Sequence, residues 1–231
     1  MGDRYTITAL ASVLSQRFNV EVTSGYKPKY NAAPTQLLPI ITQGSKGISY
    51  FYWGQIPDWS NNKPLSNKLL FGSIEEITQK ASLAKSLTQT RCIIPMDGYY
   101  EWKRISKKGR VAHRIIFGDN EIIGVAGLWE EFEGDEGEMH HTFKILTTSA
   151  NEAIEPMNTR MPAIIERDKE EEWLKSNASA EELISMISPY PANKIHIYSV
   201  SPKIEDIKNE GEHLIKPFAP ADQFGNYSLF D

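Results

Sequence analysis

Cysteine is almost missing from this chain: Cys92 is the one thiol in 231 residues. An internal disulfide is therefore impossible, and such usage fits a reducing cytoplasm. Cys92 lies in the apolar stretch Cys92-Ile93-Ile94, where a thiol is expected to be buried and structural rather than nucleophilic. Long apolar runs are missing as well. None approaches the ~20 residues of a membrane helix, and no basic stretch leads into an apolar core at the start, so neither a membrane span nor a secretory leader is expected. Repeats, low-complexity tracts and Pro/Gly/Ser linkers are absent, which makes a single domain over residues 1–231 the simplest organisation. The five histidines show no ligand spacing, and the adjacent His140 and His141 would face opposite ways on a strand. With no phosphate-cradling glycine loop either, no metal or cofactor is expected.

A net charge of −5 argues against indiscriminate binding to nucleic acid. Its distribution is uneven: residues 1–110 carry 15 Lys+Arg against 7 Asp+Glu, whereas residues 111–231 carry 10 against 23. Two outcomes are open. Either the basic half presents a phosphate-binding face, or the topology interleaves the halves and the asymmetry averages out.

The apolar pattern is mostly that of strands. Thr8 is placed to cap a first helix with Leu10, Val13, Leu14 and Phe18 on one face. Strands are expected near 37–43 and 48–54, joined by the turn Gly44–Gly47. Ser73 with Glu76 reads as a capping box opening a helix to about Leu87. A run of strands then fills 91–148, with turns at 107–109 and 118–120 and an acidic hairpin tip at 130–138. A strand at Ala163–Glu166, helices near 168–176 and 180–187 (the second opened by Ser179 and Glu182), and a closing strand at 194–200 complete the order. Dominant strands with peripheral helices predict an α+β fold built on a bent or barrel-like mixed sheet.

Four phrases carry the chemistry: YNAAPTQ at 30–36, YWGQIPDW at 52–59, RCIIPMDGYYEW at 91–102 and NTRMP at 158–162. In the third, a strand runs through Pro95, turns at Asp97-Gly98 and delivers Tyr99, Tyr100, Glu101 and Trp102 into a second strand. A carboxylate set among aromatics after a tight turn is fixed by the backbone, and burial there shifts its pKa. The alternative for Glu101 alone is a solvated acid on a strand.

These phrases, with FKILTTSAN at 143–151 and VSPKIEDIKNEGEHLIKPF at 200–218, resemble the SOS-response-associated peptidase (SRAP) family, also described as abasic-site processing proteins. The resemblance spans nearly the whole chain. It implies a strand-rich α+β fold and an activity on abasic sites in single-stranded DNA during the DNA damage (SOS) response. In that family the leading methionine is removed and a cysteine at position 2 becomes the first residue. Its α-amine forms an imine with the sugar aldehyde, and its thiol closes a stable ring, giving a protein–DNA cross-link. An α-amine with a pKa near ~7.7–8 is partly neutral at physiological pH, and a thiol on the next carbon attacks intramolecularly.

Here position 2 is Gly2, so that ring cannot close. The resemblance places the family glutamate at Glu101 and the family histidine at Asn158, which hydrogen-bonds but does not exchange a proton near pH 7. The family asparagine falls on Phe71 or on Asn67, depending on whether one counts back from Cys92 or forward from Pro64-Leu65. One family arginine becomes Ser73, whereas Arg4 and Arg160 are kept. Trp53, Trp59 and Trp102 are candidate stacking platforms for unpaired bases, with core packing as the alternative for each; Asn31 and Pro34 are expected to shape the wall. The expected partner is single-stranded or abasic DNA, held by a degenerate member that keeps DNA binding and lacks most covalent chemistry. An imine-forming lyase using the Gly2 amine is one alternative, and a non-catalytic module for a small ligand or a protein segment is another. The family's peptidase-type self-processing has no cysteine to carry it here.

Overall fold

The computed structural model describes residues 1–56, 66–77, 79–133, 137–175 and 177–227. Its strands, in chain order, are β1 (Tyr5–Ile7), β2 (Lys29–Ala32), β3 (Leu37–Thr42), β4 (Ser49–Trp53), β5 (Phe71–Ser73), β6 (Arg91–Met96), β7 (Gly98–Arg104), β8 (Arg110–Phe117), β9 (Ile123–Glu133), β10 (Met139–Ser149), β11 (Arg160–Pro162) and β12 (Ile195–Ser199). One sheet is antiparallel in the order β12-β8-β7-β1-β2. The other runs β11-β10-β4-β3-β6-β9, and pairing of β9 back onto β10 closes β4, β3, β6, β9 and β10 into a ring. The contacts of β10 with β4 and β5 are parallel, so the barrel-like sheet is mixed. The fold is α+β, with short helices outside the strands.

The core explains these elements. β6 is buried at every position, and Ile93 and Ile94 face opposite ways into apolar surroundings. Cys92 is buried there, and desolvation raises its thiol well above the usual range. Trp53 is fully buried, edge-on to Tyr5 at 5.4 Å and stacked with Phe143 at 6.4 Å, and its indole donates to the Leu70 carbonyl at 3.1 Å. It therefore belongs to the barrel interior and offers no face to a DNA base, a correction to the expectation for this residue.

Local expectations were modified where side chains found distant partners. The first helix is Ala11–Phe18, with Leu10 at its N-cap, because the Thr8 hydroxyl bonds Asp97 at 2.9 Å. The helix expected from Ser73 divides into Ile74–Ile77 and Ala81–Gln89, since Ser73 ends β5 and gives its hydroxyl to Glu75. The strand expected at 163–166 forms earlier, at Arg160–Pro162, where β10 offers an edge. The capping box at Ser179 is present, with Glu182 N–H to Ser179 at 3.2 Å and the return bond at 2.8 Å. Of the acidic tip, residues 134–136 lie outside the described residues.

Pairing of β6 with β9 and of β7 with β8 interleaves the basic and acidic halves. Arg17–Glu170, Arg110–Glu205 and Arg160–Glu75 are ion pairs that join one half to the other. The two halves of the sequence thus share sheets and ion pairs and do not form separate basic and acidic faces at these contacts.

Candidate functional site

A buried polar pin sets where the chain's first residues lie. Asp97 accepts from the Thr6 hydroxyl at 2.6 Å, from the Thr8 backbone and from Arg114 at 3.2 Å; Arg114 in turn donates to Tyr198 at 2.9 Å. Asp97 and Arg114 are both nearly inaccessible. This holds β1 antiparallel to β7 with Tyr5 opposite Tyr99, so the residues ahead of β1 run along β7 towards Glu101.

Alternation along β7 puts Tyr99 into the main core and Tyr100 into a smaller cluster with Ala112, Val200, Ile204 and Leu214. Glu101 follows Tyr99 and is 3 % exposed. Its Oε1 accepts the Gly2 N–H at 2.7 Å and stands 3.5 Å from the Met1 amine; its Oε2 accepts from Asn158 Nδ2 at 3.2 Å. Burial raises the Glu101 pKa above the ordinary carboxylate range, against the pull of the amine, Asn158 and Gly2. Burial likewise lowers the Met1 amine from its ordinary value, opposed by Glu101. Both charges are disfavoured by the same wall that brings them together.

Gly2 lies flat on β7. A Cβ at this position would run into the Tyr100 carbonyl oxygen and crowd the Trp102 ring, so a larger residue 2 could follow this path only with a local shift.

Opposite Glu101, Asn151 accepts from the N–H groups of Ala153 and Ile154, at 3.2 Å each, and shapes the turn leading to Asn158. Asn158 Oδ1 accepts the Arg160 N–H at 3.0 Å, which aims the amide at Glu101. Arg160 grips Glu75 with both ends of its fork, at 2.9 and 2.7 Å, and donates to the Thr147 carbonyl at 2.5 Å. That guanidinium holds the Glu75 carboxyl down to about 2. Met1, Gly2, Glu101, Asn158 and Arg160 border a cavity of about 530 Å³.

Asn67 and Phe71 both line this cavity, the first from the short helix Asn67–Leu70 and the second from β5. Trp102 lines it too, with its indole donating to Glu205 at 2.6 Å. Arg4 pairs with Asp3, a residue of the cavity lining, 3.0 Å from its carboxylate. Trp59 lies outside the described residues. Asn31 does not face the cavity: its amide donates to the carbonyls of Asp206 and Asn209 at 3.1 Å each, clamping the segment after β12. Sequence reasoning missed Arg110, which lines the cavity, and Glu205, which holds it. The pair is separated by 95 positions, so no local pattern announces it.

Comparison with known proteins identifies the family. Residues 1–207 match the family described as SOS response associated peptidase (SRAP). The abasic site processing protein YoqW of Bacillus subtilis strain 168 is 35 % identical over 222 residues, covering 94 % of this chain and 99 % of YoqW. The abasic site processing protein HMCES of Rattus norvegicus is 24 % identical, over 83 % of this chain and 65 % of HMCES. A crystal structure of a Bacteroides thetaiotaomicron protein superposes with a TM-score of 0.79 at 25 % identity, covering 94 % of this chain and all of that one. From its sequence over most of its length and from its fold, the chain belongs to the SRAP family.

Proposed function

We propose that this protein binds single-stranded DNA at abasic sites and holds the lesion without locking it into a stable cross-link. The observation that carries the reading is the threading of residues 1 and 2 along the wall of an open cavity, with the Gly2 nitrogen on Glu101 at 2.7 Å. Relatives at 33–35 % identity are named abasic site processing proteins, which supports the substrate class. Trp102 supplies a half-buried ring on the cavity rim, suited to stacking on an unpaired base. Glu101, Asn67 and Asn158 offer hydrogen-bonding groups for an opened sugar. Gly2 has no thiol, so a second, ring-closing attack is unavailable. Electrophoretic retardation of abasic single strands at low salt tests the binding. Retardation without a heat-resistant band is the expected result; no retardation would refute the reading.

A second reading is favoured by the same 2.7 Å contact. Once Met1 is removed, the Gly2 nitrogen becomes an α-amine already placed beside a carboxylate. Its lone pair adds to the sugar aldehyde, and the carbinolamine loses water to give a reversible imine, with Glu101 passing the protons. Borohydride reduction of the protein lacking Met1 should trap this imine on Gly2. Strand retention with no trapped adduct leaves only the binding function.

A further inference from the structure

Among the described residues, each cation lining the cavity already faces a carboxylate: the Met1 amine has Glu101, Arg160 has Glu75 and Arg110 has Glu205. The two arginines are held differently. Arg160 is built into its wall by Thr147 and Ser73 as well as by Glu75. Arg110 has half of its side chain exposed, and its guanidinium is bound by Glu205, with Nη2 at 2.6 Å from Oε2 and Nε at 3.2 Å from Oε1.

The same Glu205 carboxylate accepts the Trp102 indole N–H at 2.6 Å, and the Arg110 guanidinium carbon stands 5.4 Å from the Trp102 ring centroid. One carboxylate thus holds a ring and a cation over one face of it on the rim, leaving a base to stack on Trp102 only where the guanidinium does not cover it. Its placement is firm, because Asn31 clamps the segment that follows Glu205 through the Asp206 and Asn209 carbonyls. An ion pair this exposed contributes little to folding. A phosphodiester offers the same two-oxygen acceptor that the guanidinium fork now finds on Glu205.

We propose that Arg110 is a further strand-contacting residue, taking the phosphodiester beside the base that stacks on Trp102, and that Glu205 occupies its guanidinium until a strand arrives. The inference rests on the reading that this site takes single-stranded DNA. Glu205 then acts as a built-in competitor: it keeps the rim ordered, and its displacement lowers the affinity of every strand that uses Arg110 by the same factor.

The test is fluorescence anisotropy of a labelled abasic single strand over a range of salt, with the unaltered protein, Arg110→Gln, Glu205→Gln and the double variant. Gln at 205 still accepts the indole N–H but no longer neutralises the guanidinium. Glu205→Gln is expected to bind about threefold tighter or more at low salt, and Arg110→Gln to bind weaker by a similar factor. The slope of log affinity against log salt should be smaller by about 0.7 in Arg110→Gln than in Glu205→Gln, the share of one single-strand phosphate contact. The double variant should match Arg110→Gln, the gain having vanished with the cation. A Glu205→Gln gain that survives without Arg110, or an Arg110→Gln protein that binds like the unaltered one, overturns the proposal while leaving strand binding intact. Failure of every form to bind refutes the DNA reading and this inference together. Thermal melts of the four proteins distinguish altered recognition from lost folding.

Discussion

The Gly2 nitrogen and the Glu101 carboxylate meet at 2.7 Å across 99 positions of sequence. The backbone path here suits glycine: the strand carbonyl of Tyr100 fills the space that a Cβ at residue 2 would take. The residue that removes the thiol thus also leaves the leading backbone unobstructed against β7.

Restoring sulfur tests this directly. Gly2→Cys in the protein that keeps Met1 should loosen the first residues, because the new Cβ collides with Tyr100. Once Met1 is removed, the terminal residue is free to turn, and a heat-resistant adduct with abasic single strands should appear on denaturing gels. If the processed Gly2→Cys protein gives no such band, the missing sulfur does not explain the absence of a cross-link.

Glu101→Gln keeps an acceptor for the Gly2 N–H but loses the carboxylate. Strand retention should change by no more than about threefold, whereas borohydride-trapped adduct on Gly2 should fall by about a hundredfold or more. Equal losses in both measurements would show that Glu101 holds the strand and moves no proton.

The polar pin predicts a stability effect remote from the cavity. Asp97→Asn leaves Arg114 buried without its counter-charge and weakens the bonds to Thr6 and Thr8. A loss of about 3–5 kcal/mol is expected in urea unfolding. A loss below about 1 kcal/mol would mean that β1 is held by its sheet pairing alone.

Acid should release Arg160. The folded Glu75 carboxyl sits near 2, below its ordinary value of 4.5, because Arg160 holds the charged form. Protons therefore bind the unfolded chain first, so the pair's stabilisation is fully present above 4.5 and disappears as pH falls towards 2. Glu75 is 45 % exposed, and solvent screening keeps the effect modest. Comparing acid unfolding with that of Glu75→Gln should show a shallower decline for the variant over that range.

Trp102→Leu removes both the stacking face and the indole donor to Glu205. Single-strand affinity should fall by about 1–3 kcal/mol, with little preference for the neighbouring base. An unchanged dissociation constant would remove Trp102 from the strand's path.

Much of this was legible in short-range pattern. The hairpin of β3 and β4, the run of strands after residue 91 and the Ser179 capping box follow from alternation and turn chemistry, which act over a few residues. What escaped depended on partners far along the chain. An aromatic inside a strand reads alike whether it faces core or solvent, so Trp53 declared itself only once Tyr5 and Phe143 surrounded it. Thr8 resembled a helix cap until Asp97, 89 positions away, took its hydroxyl. Counting could not choose between Asn67 and Phe71; a four-residue helix leading straight into β5 sets both on the same wall. Arg110 and Glu205 meet across 95 positions, beside a segment that Asn31 holds, which no spacing reveals.

The sealing of Cys92 inside the barrel wall has a practical side. With the chain's one native sulfhydryl shielded and its ionisation suppressed by desolvation, maleimides and similar reagents should leave the folded protein unmodified. A cysteine engineered at any exposed position would then be a background-free handle for dyes or spin labels, ready to report where a strand approaches.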